Sequence, residues 1–396
     1  MGNKIYKIKG VVQHYAWGGN QFIPDLLSAS FDNKPCAEYW MGAHPSAAAK
    51  LDGQSKSLLD IIQEDPEGTV GKRVWEQFGE LPYLFKILDV KDMLSIQVHP
   101  TKKEAEKGFD AEEAAGIPIS APHRNYKDRN HKPEVMVALS EFWLLHGFRS
   151  KSSLEYLLEQ TPEFQVFSTL FRKEGYKALY QLIMEMDAND ANHVLQSLVK
   201  RELIRFHAGE LTRSDPGWWV AKLYADQLPD GNYDKGIFSI YFFNIVKAMP
   251  GEAVFQGAGI PHAYLEGQNV ELMANSDNVL RGGLTPKHID VPELLKHTAF
   301  EPVEPQVMKG NAVNHFEWNY PCPVPDFALN KVVIQANEEW SGTAESMQIW
   351  WVGEGGCTVN KQMQLKAGDA CVVFADGEFA VETGKSCTIF KAYVPL

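Results

Sequence analysis

The sequence has few cysteines, no long apolar run and no glycine-rich nucleotide loop, and each absence excludes a class of protein. Only five of its 396 residues are cysteine, and none forms a C-x-x-C pair. An odd number of scattered cysteines is typical of a reducing compartment. The first ten residues, MGNKIYKIKG, contain no apolar signal segment, and no apolar run approaches the length of a membrane span. We therefore predict a cytoplasmic protein without a membrane partner. The lack of dinucleotide-binding and phosphate-loop patterns predicts that it uses no organic cofactor.

Basic residues are also scarce. The chain has 38 Lys and Arg against 51 Asp and Glu, which gives a formal net charge of −13. Such a surface repels polyanions, so we predict no nucleic-acid partner. It would also repel a phosphorylated small molecule, unless basic residues gather at one local site.

The composition is that of a globular protein, with 44% apolar and 22% charged residues. Its length allows two or three domains with a large core. The first 150 residues are predicted to form short strands, interrupted by one acidic helix near residues 102–115. Candidate strands, bounded by turn residues, are residues 4–13, 81–88, 94–99, 134–138 and 142–148.

Residues 151–235 are predicted to form a helical insertion. Leucines recur there at helical spacing, as in Leu154, Leu157 and Leu158, and Asp215-Pro216 is typical of a helix start. A break follows at residues 228–231, and β structure is predicted to resume at 237–246. We therefore predict a β domain in two parts, residues 1–150 and 236–315, and a C-terminal β domain, residues 316–396.

A weak internal repeat suggests what the C-terminal domain is. PGEAVF at 250–255 resembles AGDACV at 367–372. If Gly251 corresponds to Gly368, then His262 corresponds to Phe379. We predict from this a second module of the same kind, with an apolar side chain in place of a metal ligand and a structural role. Chance similarity between two strand-turn-strand units is the alternative.

Four metal-ligand-type side chains stand in strand contexts. Gln97 and His99 are two residues apart in an apolar run, so both would point to the same side of a strand. Glu134 begins a β-prone run, and His262 follows a strand that ends in a glycine-rich turn. One amide oxygen, two imidazoles and one carboxylate would suit a divalent ion such as zinc. Taken singly, each side chain is more often hydrogen-bonded or solvated.

Longer motifs around these residues carry a resemblance to a known family. QHYAWGG, LPYLFKILDVKDMLSIQVHP, NYKDRNHKPE and GIPHAYLEGQNVELMANSDNVLRGGLTPKHID resemble type I mannose-6-phosphate isomerases (phosphomannose isomerases) over nearly the whole chain. The resemblance implies a mainly β fold, in which a cupin or jelly-roll catalytic barrel is split by the helical insertion and followed by a cupin-like module. It implies a zinc enzyme that interconverts mannose 6-phosphate and fructose 6-phosphate. Carried over position by position, the family's active-site arginine falls on Arg281, and its single zinc ion on Gln97, His99, Glu134 and His262.

The implied reaction moves a proton between C1 and C2 through an enediol. It requires a base, stabilisation of a developing oxyanion and an anchor for the phosphate. Arg281 stays protonated, so we predict that it stabilises the enediolate or gates the site. The base remains open between Lys132, a sequence neighbour of Glu134, and Glu271. His131 is predicted to assist opening of the sugar ring.

Other side chains in the same motifs predict the binding of substrate. Lys86, Ser95 and Lys287 are favoured for the phosphate, because they would supply the local positive site that the acidic surface requires. Tyr264 is predicted to line the pocket, since it has the strand parity of His262. Trp17 could also line the pocket, although core packing fits it equally well.

Two other functions fit part of this pattern. A cupin dioxygenase would hold redox-active iron or nickel with similar ligands, but it would not need the cluster of cations. A non-catalytic sugar-binding cupin would keep the pocket and lose the proton-transfer residues. We predict a catalytic monomer whose partner is a small sugar phosphate.

Overall fold

The first part of the chain mixes short strands with short helices. The computed structural model describes residues 4–396. Its first strands are β1 (Ile5–Lys9), β2 (Val11–Gln13), β3 (Glu38–Gly42), β4 (Lys50–Leu51), β5 (Tyr83–Val90), β6 (Gln97–Val98), β7 (Glu134–Ala138) and β8 (Phe142–Phe148). The helices among them are α1 (Phe22–Leu27), α2 (Leu58–Glu64), α3 (Pro66–Thr69), α4 (Lys72–Phe78) and α5 (Lys102–Ala114).

The prediction of a single helix in this part was wrong. Only α5 was expected, and the four others have at most seven residues each, too few for an apolar period to show. A local signal for α2 was present, because Ser57 and Asp60 cap each other's backbone at its start. The strands predicted at 134–138 and 142–148 are confirmed, whereas the one at 94–99 shortens to two residues.

The helical insertion is confirmed. It consists of α6 (Lys151–Gln160), a 3₁₀ helix (Pro162–Phe167), α7 (Ser168–Glu185), α8 (Ala188–His207), α9 (Pro216–Tyr224) and α10 (Gly236–Phe242). The leucine positions at 154 and 158 are fully buried, as the helical spacing indicates. No helix among residues 4–396 is both long and apolar enough to cross a membrane.

The prediction that β structure resumes at residue 237 was wrong. Residues 236–242 form the helix α10, and every one of them is buried. An apolar run without a period does not distinguish a buried helix from a buried strand. Asp234 supports the start of the helix, because its carboxylate accepts a hydrogen bond from the Gly236 N–H at 2.7 Å.

The second β part is organised around one long strand. After α10 come β9 (Phe243–Ala248), β10 (Ala253–Gln256), β11 (His262–Ala274), β12 (Leu280–Arg281) and the helix α11 (Val291–His297). The start of β11 pairs with β6 and β8, whereas its end pairs with β5 and β7. The change occurs at Gly267, whose φ is 129° and where a Cβ atom would lie 2.6 Å from the Phe142 ring. The strands therefore face one another across an interior, although no ladder among residues 4–396 closes this sheet into a barrel.

This interior is polar at one end and apolar at the other. Alternation along β5 and β7 places Lys86 and Leu88 on the inner face of one strand, and Glu134 and Met136 on that of the other. Leu88 and Met136 belong to a buried apolar cluster with Phe142. The charged residues thus lie above an apolar floor, at one mouth of the interior.

The C-terminal part forms two further sheets and shares its core with the first part. Its strands are β13 (Asn311–Ala312), β14 (Glu317–Tyr320), β15 (Ala328–Ile334), β16 (Glu339–Thr343), β17 (Gln348–Glu354), β18 (Gly356–Val359), β19 (Met363–Lys366), β20 (Ala370–Val373), β21 (Glu378–Glu382) and β22 (Cys387–Tyr393). The N-terminal strand β1 pairs with β20 and lies in the same eight-stranded sheet as β22, a long-range pairing that the sequence analysis did not include. The outer faces of β5 and β7 pack against this sheet in one core.

Phe379 lies in the core of the C-terminal part. Its ring centroid is 4.7 Å from that of Trp340 and 4.8 Å from that of Trp350. The turns that contain Gly251 and Gly368 also have similar backbones, with φ of 85° and 90°, directly before β10 and β20. These observations support the predicted correspondence of the two modules and an apolar, structural position at Phe379.

Replacing Phe379 with alanine is expected to lower the free energy of unfolding by about 3 kcal/mol, because it opens a cavity between two tryptophans. The midpoint of urea-induced unfolding measures this loss. Val313→Ala is the control, since Val313 is 59% exposed and its truncation should change the stability by less than about 0.5 kcal/mol. Equal midpoints for the two variants would contradict a structural role for Phe379.

Candidate active site

Three potential metal ligands meet at the polar mouth of the interior. The imidazoles of His99 and His262 and the carboxylate of Glu134 are buried, and one ligand atom from each lies within 4.8 Å of the others. His99 Nε2 is 3.5 Å from one carboxylate oxygen of Glu134, and His262 Nε2 is 3.5 Å from the other. Within residues 4–396, this is the one group of three or more His, Cys, Asp or Glu with such a geometry.

The two imidazoles are held with the same nitrogen toward the centre. His99 Nδ1 donates to the backbone carbonyl of Asn278 at 2.9 Å, and His262 Nδ1 donates to that of Ile260 at 2.9 Å. Because a carbonyl only accepts hydrogen bonds, these contacts place the proton on Nδ1 and leave a lone pair on Nε2. This is the arrangement in which histidine binds a metal.

Gln97 completes a fourth side of the site. It lies on β6, directly across from His262 on one neighbouring strand and from Arg281 on the other. Its Oε1 atom is buried and, like His99 Nε2, has no hydrogen-bond partner within residues 4–396. A buried acceptor without a donor is costly unless a cation or another donor reaches it. The donor set therefore fits a divalent ion of the zinc type.

The charge states of the ligands also suit a cation. Burial outweighs the attraction of Glu134 and lowers the pKa of His99 to about 4, so its imidazole is neutral at neutral pH. Burial alone would raise the pKa of Glu134, but the Lys132 ammonium holds that pKa well below its usual range. The Lys132 ammonium is 3.3 Å from the Glu134 carboxylate.

A second network, around Lys86, lies beside the ligands. Its ammonium is 3.1 Å from Glu271 and 3.4 Å from Glu38, and it lies over the Trp40 ring. Burial would lower the pKa of Lys86, but these carboxylates raise it instead. Glu271 also accepts a hydrogen bond from the Tyr264 hydroxyl at 2.7 Å. Lys86 therefore already has two anionic partners inside the protein.

An open pocket leads to these networks. Its volume is about 700 Å³, within the range of small-molecule sites, and its walls include Trp17, Ser95, Arg281 and Lys287. An inner cavity of about 50 Å³ continues from it, lined by Glu134, His262, Tyr264 and Glu271. Both spaces are bordered by Lys86, Gln97 and Lys132, so the inner cavity adjoins the outer pocket.

Two cations in the pocket wall lack anionic partners. Within residues 4–396, neither the Arg281 guanidinium nor the Lys287 ammonium forms an ion pair. Burial lowers the pKa of Arg281, and burial together with the nearby Arg281 charge lowers that of Lys287. A partly buried arginine and an exposed lysine that repel each other, on an acidic protein, indicate a binding site for an anion.

The structure gathers all but one of the residues that the sequence singled out. His99 lies behind the inner cavity with no exposed surface, and the others border one or both spaces. His131 is the exception, because it is absent from both walls and its Nε2 is 3.0 Å from the buried Asp326 carboxylate. Nothing in this geometry places it where it could assist ring opening.

Two residues at the site were missed by the sequence analysis. Glu38 carries one of the two carboxylates that hold Lys86, and a charged residue in the buried strand EYWMG was the available signal. Asn278 lies inside a quoted motif, but nothing in the sequence shows that its carbonyl faces His99.

Known proteins show which family has these features. The model of the type I phosphomannose isomerase catalytic domain matches residues 5–151. A mannose-6-phosphate isomerase from Salmonella typhimurium is 38% identical over 384 residues, covering 94% of this chain and 95% of the relative. The chain belongs to the type I phosphomannose isomerase family.

Solved structures of phosphomannose isomerases resemble the whole chain. A mannose 6-phosphate isomerase bound with zinc and yttrium has a TM-score of 0.88 and 36% identity, covering 99% of this chain and 100% of its own. The Salmonella typhimurium enzyme bound to its substrate fructose 6-phosphate and to zinc has a TM-score of 0.87 and 35% identity, with the same coverage. The fold of this phosphomannose isomerase family member is thus the expected cupin type, mainly β with a helical insertion.

Proposed function

We propose that this protein is a zinc-dependent isomerase that interconverts D-mannose 6-phosphate and D-fructose 6-phosphate. The carrying observation is a buried His–Glu–His group at an inner cavity, next to an outer pocket whose wall carries two cations without partners. The sequence similarity to mannose-6-phosphate isomerases over 94% of the chain supports the same reaction.

In this proposal Gln97, His99, Glu134 and His262 hold one zinc ion. The ion would act as a Lewis acid without redox chemistry, polarising the carbonyl and hydroxyl oxygens of the substrate. The relative whose structure contains zinc and fructose 6-phosphate supports this choice of metal and ligand. The unpaired cations of the pocket favour a phosphorylated substrate over the neutral one that a dioxygenase would take.

The polar residues around the outer pocket have different proposed roles. Lys287 and Ser95 border the pocket and would anchor the phosphate. Arg281 pairs with Gln97 across neighbouring strands, so it lies beside a proposed metal ligand. From there it would stabilise the enediolate oxygens. The sequence favours Lys86 for the phosphate, but with two carboxylates beside it we propose that it balances their charge.

Lys132 is the better candidate for the base. Both oxygens of Glu271 are occupied, one by Lys86 and the other by Tyr264. Lys132 borders both spaces, and its one anionic partner within residues 4–396 is Glu134, a proposed metal ligand. In its amine form Lys132 would take the proton of C2 and return it to C1.

The remaining assignments follow from the same proposal. His131, held by Asp326, would position the Lys132–Glu134 segment without touching the sugar. The two β parts, residues 1–150 and 236–315, would form the catalytic domain, with a helical insertion at 151–235 and a metal-free C-terminal module at 316–396. The five cysteines are free thiols, which supports a cytoplasmic enzyme, and we propose that it acts as a monomer.

Metal analysis coupled to an isomerase assay tests the proposal. The purified protein is expected to contain about one zinc ion per chain and to convert mannose 6-phosphate to fructose 6-phosphate. Removal of the metal by a chelator should abolish turnover, and added zinc should restore it. Circular dichroism before and after chelation controls for unfolding. Full turnover by metal-free protein would overturn the zinc assignment, and bound iron with oxygen consumption would favour a dioxygenase.

A further inference from the structure

Asn278 connects the separate segments that build the site. It is 1% exposed and lies between β11 and β12, three residues before Arg281. Its backbone carbonyl accepts the hydrogen bond of His99 Nδ1. Its side chain reaches the loop of residues 127–130, which leads directly into Lys132 and Glu134.

The amide of Asn278 is fully used by that loop. Its Oδ1 accepts from the N–H groups of Lys127 at 2.7 Å and Asp128 at 3.2 Å. Its Nδ2 donates to the carbonyls of Asp128 at 2.8 Å and Asn130 at 2.9 Å, and to the Asp128 carboxylate at 3.1 Å. Only an amide of this length offers two acceptor lone pairs and two donors at once.

The surroundings hold the loop in the same place. The Asp128 carboxylate accepts from the Ser276 hydroxyl at 2.8 Å and from the Asp277 N–H at 2.7 Å. Ser276 Oγ in turn accepts from the Asn278 N–H at 3.2 Å. Residues 276–278 therefore hold the loop of residues 127–130 through several hydrogen bonds.

We propose that Asn278 is a positioning residue, which sets His99 with its carbonyl and the Lys132–Glu134 segment with its amide. Asn278 borders neither the outer pocket nor the inner cavity, so a substrate bound in these spaces would not touch it. Its effect on the reaction would pass through the metal ligands and Lys132. This inference rests on the proposed zinc isomerase function.

The variant Asn278→Asp tests this role. It keeps the size and the backbone carbonyl, but it replaces the two donors of Nδ2 with an oxygen that faces two carbonyls and the Asp128 carboxylate. The zinc affinity of the metal-free protein, measured by competition with a chromophoric chelator, is expected to fall by about 10-fold to 100-fold, as for other partners of metal ligands. The turnover number should fall by a similar factor at saturating zinc, with a smaller change in KM.

Asn330→Asp is the matched control. Asn330 is 2% exposed, and its Nδ2 likewise donates to a carboxylate, that of Glu317, at 2.6 Å. This amide lies on β15 in the C-terminal part, so its change should lower the melting temperature and leave zinc affinity and turnover of the folded protein unchanged. If Asn278→Asp behaves like Asn330→Asp in all three measurements, Asn278 is merely structural and the inference is wrong.

Ser276→Ala keeps the test decisive if Asn278→Asp does not fold. It removes the hydroxyl that donates to Asp128 and to the Asn130 carbonyl and accepts from the Asn278 N–H. Zinc affinity and turnover should shift in the same direction by a smaller factor. Unchanged values for both would overturn the inference. The unaltered protein separates this outcome from a failure of the proposed function, because a protein that neither binds zinc nor isomerises mannose 6-phosphate would refute that function first.

Discussion

Glu134→Gln is expected to weaken zinc binding by about 1000-fold and to reduce isomerase turnover to background. The amide has nearly the same shape, so the change removes one negative charge and little else. Both imidazoles lose the anion between them, and Lys132 loses its partner at 3.3 Å. Two neutral imidazoles and two amides are a poorer set for zinc, whose usual protein ligands are thiolate, imidazole and carboxylate.

Zinc affinity, turnover and melting temperature are measured for Glu134→Gln and for a control variant, Glu317→Gln. Glu317 in the C-terminal part is also a buried glutamate with a lysine partner, since Lys391 lies 2.6 Å from it. Glu317→Gln should therefore lower the melting temperature while zinc affinity and turnover remain those of the unaltered protein. A Glu134→Gln protein that binds zinc as tightly as Glu317→Gln would remove Glu134 from the ligand set.

The balance of charges explains why the site suits a metal first and an anion second. Near the ligands there are three carboxylates, Glu38, Glu134 and Glu271, and two ammonium groups, Lys86 and Lys132. This inner group carries an excess of one negative charge and attracts a cation. A divalent ion reverses the excess to one positive charge, and the two partnerless cations of the pocket wall add to it. The filled site then attracts the phosphate that the acidic surface as a whole repels.

The sequence predicted the candidate metal site better than the architecture around it. Its four candidate ligands, Gln97, His99, Glu134 and His262, stand out because their motifs are long and rich in polar residues that packing does not require. Strand pairing at the N-terminus needed the folded chain, since β1 joins β20 from the far end of the sequence and no local pattern encodes this. The helix α10 was mistaken for a strand because its apolar run has no period.

The sequence also did not reveal which side chains meet one another in the site. The sequence favoured Lys86 for the phosphate, but a position in a strand does not show which side chain meets the ammonium, so Glu38 was missed. His131 stands beside Lys132 in sequence, yet its ring is held by Asp326, which lies in the C-terminal part. Side-chain partners across a fold are set by tertiary packing, and adjacency in sequence does not reveal them.

Arg281→Met is expected to lower the turnover number by about 100-fold to 1000-fold, the loss seen when a group that stabilises a developing oxyanion is removed. Methionine keeps the apolar stem and removes the charge. Zinc content should stay at one ion per chain, because Arg281 is not a ligand, and KM should change much less than turnover. Steady-state kinetics on metal-analysed protein measures these quantities.

Two further variants test whether the loss of any positive charge has the same effect on turnover as the loss of Arg281. Lys287→Met should raise KM and leave turnover nearly unchanged, because an anchor contributes equally to the bound substrate and to the transition state. Arg149 is also a partly buried arginine whose pKa burial lowers, but its guanidinium donates to the Tyr241 carbonyl away from the pocket, so Arg149→Met should change neither parameter of the folded enzyme. Unchanged turnover in Arg281→Met would move the oxyanion role to another group. A loss confined to KM would instead make Arg281 a second phosphate anchor beside Lys287.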